Sequence, residues 1–213
     1  MDRFRTEAGP FGAISWLNES TPAEFYLLKI EGIKIGNSSP APLLTLIVGP
    51  SEEAKEAGEA KKEIAERFST RHNFWAKLLE KAKSKTKLHE TISPSQHGWI
   101  GTGAGKSGLN YNYVITQHEG KVELYIDRGK ESETENKNIF DDLYKHKDEI
   151  EKTFGYELSW ERLDNKRACR IAKSITVGGY RDPEKWDNII DNMIDYMIRL
   201  EKTLFPIISK MKI

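Results

Sequence analysis

The chain has 213 residues, 38% of them hydrophobic and 31% charged, enough for one full domain with a smaller attached piece. Lys plus Arg and Asp plus Glu are equal at 33 each, so overall charge announces no nucleic-acid partner and only a local patch could carry one. One cysteine, Cys169, excludes an internal disulfide framework, no run reaches the roughly 20 apolar residues of a membrane span, and the N-terminus lacks a secretory signal, so a soluble cytoplasmic protein is expected.

Residues 1–50 read as a short helix and strands. Ile14, Trp16 and Leu17 open an apolar cluster that breaks at Thr21-Pro22. Phe25 to Ile30 is strand-like and extends to Ile35, residues 36–40 form a turn, and Leu43 to Val48 is a second apolar run. Such a piece is too small to bury a core alone. Ser51-Glu52-Glu53 caps a helix whose first half, a connector over 51–63, is almost wholly charged. From Ile64 the spacing turns helical through Phe68, Trp75, Leu78, Leu79 and Ala82, and the helix ends in Lys81, Lys83, Lys85 and Lys87.

Beyond residue 88 the period changes. Asn110–Thr116 and Lys121–Arg128 alternate as two strands of a hairpin. Ser132 caps a helix with the stripe Ile139, Leu143, Ile150 and Phe154, closed by Gly155. Residues 157–163 and 166–177 form a second hairpin around Asp164-Asn165. Asp182-Pro183 then starts a helix whose apolar positions run from Ile189 to Ile208. Residues 64–213 thus predict an α+β fold: an antiparallel sheet from two hairpins with helices packed on one face, in the order helix, hairpin, helix, hairpin, helix.

HGWIGTGAGKSG, at 97–108, ends like a phosphate-binding loop in Gly105-Lys106-Ser107. That loop needs a glycine five residues before Gly105, and Ile100 stands there. A strand pattern follows it instead of a helix, so no helix N-terminus lies behind it to hold phosphate. It reads as a glycine turn entering the first hairpin. His72, His89, His97, His118 and His146 lack metal-ligand spacing, and no cofactor is called for. Glu59-Ala60-Lys61 has the spacing of a nuclease motif but sits in the charged helix, and Glu31 to Lys34 is one residue too long.

Alternation places Glu123, Tyr125 and Asp127 on one strand face, with the two carboxylates roughly 7 Å apart. Arg128 follows them. The second hairpin adds Trp160 and Arg162, with Arg167 and Arg170 nearby. If the hairpins share a sheet, these cations face the carboxylates or flank an aromatic platform. A polar outer face with cross-strand ion pairs is the simpler account of this pattern. As a site, the Arg, Trp and Tyr mixture suits nucleic acid or a protein partner. The alternative is a metal-dependent hydrolase using Glu123 and Asp127.

Arg71-His72-Asn73-Phe74-Trp75, Ser93-Pro94-Ser95 with Trp99, Tyr111 to Ile115, Val122 to Arg128, Phe140 to Ile150, Leu158 to Leu163 and Lys166 to Ile171 occur in an order that resembles the prokaryotic domain of unknown function 4268 family over about residues 65–210. Residues 14–48 resemble the closing helix and strands of a restriction-endonuclease-like domain, which commonly precedes that family's domain. The resemblance implies a non-catalytic accessory domain of a nuclease-like system, aiding nucleic-acid recognition or assembly. It also implies a chain lacking the nuclease half, and the remnant's exposed apolar strands suggest a homodimer.

Overall fold

The computed structural model describes residues 10–21, 23–50 and 52–212, with side chains omitted for 52–61. The expected cap Ser51, Pro22 of the expected break and the first nine residues lie outside the described residues, as do the side chains of Glu59 and Lys61. The chain forms two compact units, Met1–Glu66 and Arg67–Ile213.

In the first unit, helix α1 (Pro10–Ser20) precedes strands β1 (Leu27–Ile33) and β2 (Ala41–Val48), which pair antiparallel. Asn18 is buried and clamps the chain after the helix. Its Nδ2 donates to the Phe25 carbonyl at 2.9 Å and its Oδ1 accepts from the Phe25 amide at 2.8 Å. The two strands leave apolar side chains open on both faces, Leu28, Ile30, Leu44 and Leu46 on one and Ile33 and Leu43 on the other.

Helix α2 (Glu52–Ala82) is followed by β3 (Trp99–Gly103), β4 (Leu109–Ile115), β5 (Gly120–Ile126), α3 (Glu133–Tyr144), α4 (Lys147–Phe154), β6 (Ser159–Glu161), β7 (Cys169–Ile175), a single 3-10 turn at Pro183–Lys185 and α5 (Trp186–Ile208). The five strands form one antiparallel sheet in the order β3-β4-β5-β7-β6. Leu109, Tyr111, Tyr113 and Ile115 of β4 and Val122, Leu124 and Ile126 of β5 are buried against the helices, as period-two alternation requires. Phe74, Trp75 and Leu78 of α2 and Ile189, Met193 and Met197 of α5 complete that core.

The architecture is α+β with an antiparallel sheet, and the expected order of elements needs three corrections. The first half of the glycine segment is a strand: β3 pairs with β4 from Trp99↔Val114 to Gly103↔Asn110. The helix expected over 133–154 is two helices, broken at Lys145-His146. Leu143 and Ile150 keep heptad spacing across the break, so periodicity alone cannot reveal it. Asp182 does not cap α5; its Oδ2 accepts from the Gly179 amide at 2.9 Å, and the 3-10 turn intervenes. In α2, Ile64 is exposed and Phe68 half-buried, so the core stripe begins at Phe74.

Candidate functional site: a polar pocket on the open sheet face

The residues alternating away from the helices form a lattice of in-register rows. One row reads Gly101, Asn112, Glu123, Ala172 and Ser159 across the sheet, and the next reads Gly103, Asn110, Tyr125, Arg170 and Glu161. Gly101 and Ala172 carry almost no side chain, so a depression opens over Asn112 and Glu123 between larger neighbours. It is a cavity of about 670 Å³, with Trp99, 56% exposed, on its rim.

Glu123 is only 4% exposed and Asn112 only 7%, unusual for such residues on the sheet face turned away from the helices of the core. Asn112 Nδ2 donates to Glu123 Oε1 at 3.3 Å. Arg170 Nη1 lies 3.6 Å from Glu123 Oε2, beyond a hydrogen bond, and that oxygen has no hydrogen-bond partner. Asn112 Oδ1 is likewise unpartnered. It lies over Gly101, where an added Cβ would come within 2.0 Å of it and displace that amide. Arg170 Nε is ion-paired with Glu161 Oε2 at 3.1 Å, without an aligned hydrogen bond. Buried polar groups are nearly always satisfied, and these three atoms without a hydrogen bond lie together at the pocket floor.

The pocket wall is set by Asp127, whose two oxygens receive Arg167 Nε at 2.7 Å and Nη2 at 2.6 Å. The Arg167 guanidinium holds the Asp127 carboxyl below the usual carboxylate range, aided by the Gly129 amide. Burial, and then the Asp127 charge, push the Tyr125 hydroxyl up. Because Asp127 spends both oxygens on Arg167, Glu123 and Asp127 do not form a free carboxylate pair. Among the described residues no group of three or more His, Cys, Asp or Glu could hold a metal ion.

Of the residues singled out in sequence, Glu123, Tyr125, Asp127 and Arg170 line this pocket and Arg167 buttresses it. Three lie elsewhere. Trp160 turns to the helix side, packs edge-on against Phe140 and Tyr144, and donates from Nε1 to Glu151 Oε1 at 2.9 Å. Arg162 is bound bidentately to Asp141 of α3, at 2.9 and 3.1 Å, and also pairs with Asp164. Arg128 donates from Nη1 to the Ser107 carbonyl at 3.1 Å and lies 2.9 Å from Glu135, tying the β3–β4 turn to α3.

Sequence reading missed Gly101, Asn110 and Asn112, and took Trp99 only as part of the family-like pattern. Asparagine is depleted in strands, so Asn110 and Asn112 alternating within LNYNYVI were a usable signal. Two further residues hold the site from below. Asn136 Oδ1 accepts from the Arg128 amide at 3.0 Å while its Nδ2 donates to the Arg167 carbonyl at 3.2 Å. Lys137 Nζ sits among the carbonyls of Arg162, Leu163, Lys166 and Ala168 at 2.7, 2.9, 2.7 and 3.3 Å.

The Lys106 segment joins two antiparallel strands: the Ala104 amide donates to the Leu109 carbonyl at 2.8 Å, and β4 follows where a phosphate loop would have a helix. No described helix is long and apolar enough to cross a membrane.

Fold and site together define an α+β protein whose five-stranded antiparallel sheet is packed by helices on one face and carries a polar, aromatic-rimmed pocket on the other. The family model of a domain of unknown function, DUF4268, matches residues 70–208, well over half the chain, and the protein belongs to that family. No curated protein and no solved structure matches it.

Proposed function

We propose that this protein is a non-catalytic recognition domain that binds single-stranded nucleic acid by taking an unstacked base into the sheet-face pocket. The observation that carries this reading is the buried Glu123 carboxyl, with an unpartnered oxygen, at the floor of a cavity rimmed by Trp99 and Tyr125. Aromatic rings beside unsatisfied hydrogen-bonding groups are what a splayed base requires: a surface to stack on and an edge to read. A cavity of this size also falls in the range that encloses a nucleoside-sized ligand. Exposed apolar strands in the first unit, and the resemblance of residues 14–48 to the end of a restriction-endonuclease-like domain, support assembly beside a nuclease-like protein or as a homodimer.

Fluorescence anisotropy with labelled single-stranded RNA and DNA, and with a duplex control, tests the reading. The expected result is saturable binding to single strands, weaker binding to duplex, some loss of affinity with added salt, and Trp99 emission quenched on binding. Trp99→Ala should weaken it by about tenfold, the stacking contribution of one base. Failure of every strand to bind at low salt would rule the reading out.

A further inference from the structure

We infer that the base held in this pocket is guanine, read along its Watson–Crick edge by Glu123, Asn112 and Arg170. The inference rests on the nucleic-acid reading above and deepens it. Three atoms at the floor are without hydrogen-bond partners, and their types are fixed. Glu123 Oε2 and Asn112 Oδ1 are acceptors, and Arg170 Nε–H is a donor. The amide orientation of Asn112 follows from its neighbour, since Nδ2 must face the Glu123 carboxyl to donate to Oε1, which turns Oδ1 away from Glu123 and over Gly101. The side chains of Glu123 and Asn112 are each more than nine-tenths buried, so these atoms are not ordinary surface groups awaiting water.

Two acceptors beside one donor complement an edge with two donors beside one acceptor. Guanine presents that edge in N1–H, the N2 amino group and O6. Adenine offers one donor and one acceptor, cytosine one donor and two acceptors, and uracil a donor between two acceptors. Each would leave a buried acceptor of the pocket unpaired, which costs more than the missing bond alone. An arginine side chain from a protein also carries a two-donor fork, but Arg170 already places a guanidinium 3.6 Å from the same oxygen. A second cation would meet that charge, whereas neutral guanine presents O6 to it.

The test uses the full chain and unstructured ten-nucleotide RNAs of uridine carrying one central guanine, adenine, cytosine or inosine, titrated by anisotropy. Guanine should bind roughly tenfold or more tightly than adenine or cytosine. Inosine, which lacks only the N2 amino group, should lose most of that preference. Glu123→Gln, which exchanges one acceptor for a donor, should abolish the preference while retaining the thermal unfolding transition. Asn112→Leu serves as the second variant should Glu123→Gln fail to fold, and the same loss is expected. Equal binding of all four strands, or preference for another base, overturns the guanine assignment and leaves single-strand binding in place. Absence of binding to any strand overturns both.

Discussion

An ammonium group carries three N–H donors, and Lys137 directs them into a cage of four backbone carbonyls with the Cys169 sulfur 3.5 Å away. The cage is the loop from β6 to β7, where Leu163 has φ 55°, a left-handed conformation that costs a side-chain-bearing residue stability. The same loop delivers Arg167 to Asp127 and leads into β7, which carries Arg170 to the pocket. Lys137→Met keeps the aliphatic stem and removes the donors, so it should lower unfolding free energy by about 2–4 kcal/mol. It should also weaken strand binding, and urea unfolding followed by anisotropy would show both. On the helix side, burial depresses the His89 pKa from 6.5 to about 4, with only a partial offset from its Nε2 contact with the Tyr111 carbonyl at 3.2 Å. The unfolded chain therefore binds a proton between those values that the folded one refuses. Stability contributed by neutral His89 is full above pH 6.5 and declines as pH falls toward 4, by up to about 3 kcal/mol. Urea midpoints across this window should flatten in His89→Gln; an unchanged slope would assign the effect to other groups. The Asp127 carboxyl, held below its ordinary range by Arg167, contributes stability that is lost only at lower pH.

At the scale of elements, β3 shows how a short edge strand shapes a site it contributes few side chains to. Its Gly101 leaves room for the Asn112 amide, so Gly101→Ala should push that amide off Glu123 and reduce binding without unfolding the sheet. Gly103→Ala has nothing within 4 Å of the added carbon and is the matched control. Gly179 is a different case. An added Cβ there would come within 2.3–2.4 Å of the backbone of Gln117 and His118, where the β4–β5 turn lies against the chain and the Tyr180 amide bonds the Thr116 carbonyl. Backbone cannot swing aside as a side chain can, so Gly179→Ala should lower the melting temperature far more than Gly101→Ala. Equal melting temperatures for the two would contradict this. The main strands and the apolar faces of α2 and α5 were legible because burial imposes periods of 2 and 3.6 on them. The α3–α4 break was not legible, because Leu143 and Ile150 stay in phase across it. Nor was β3, because WIGTG reads as a glycine-rich turn until β4 pairs with it.

At the scale of the whole molecule, the family match falls within the second unit, Arg67–Ile213. A two-stranded sheet is marginal alone, and β1 and β2 leave apolar residues uncovered. Ile30 and Leu44 are direct cross-strand partners on one face. If a homodimer covers that face, Ile30→Lys with Leu44→Lys should convert an associating chain to a monomer in sedimentation velocity. A wild-type chain that sediments as a monomer at all concentrations would remove the dimer proposal.

What the sequence by itself determined is the α+β class, the main strands and helices and the faces they bury, because each follows from short-range period and local turn chemistry. It also placed Glu123, Tyr125 and Asp127 on one face, since alternation along a strand is a local property. Only the tertiary structure decided which cations meet them. β7, rather than β6, pairs with β5, so Arg170 comes beside Glu123 while Trp160 and Arg162 are taken up by α3 and α4. Strand order and register are contacts between residues distant in the chain, and no local pattern encodes which neighbour a strand will choose.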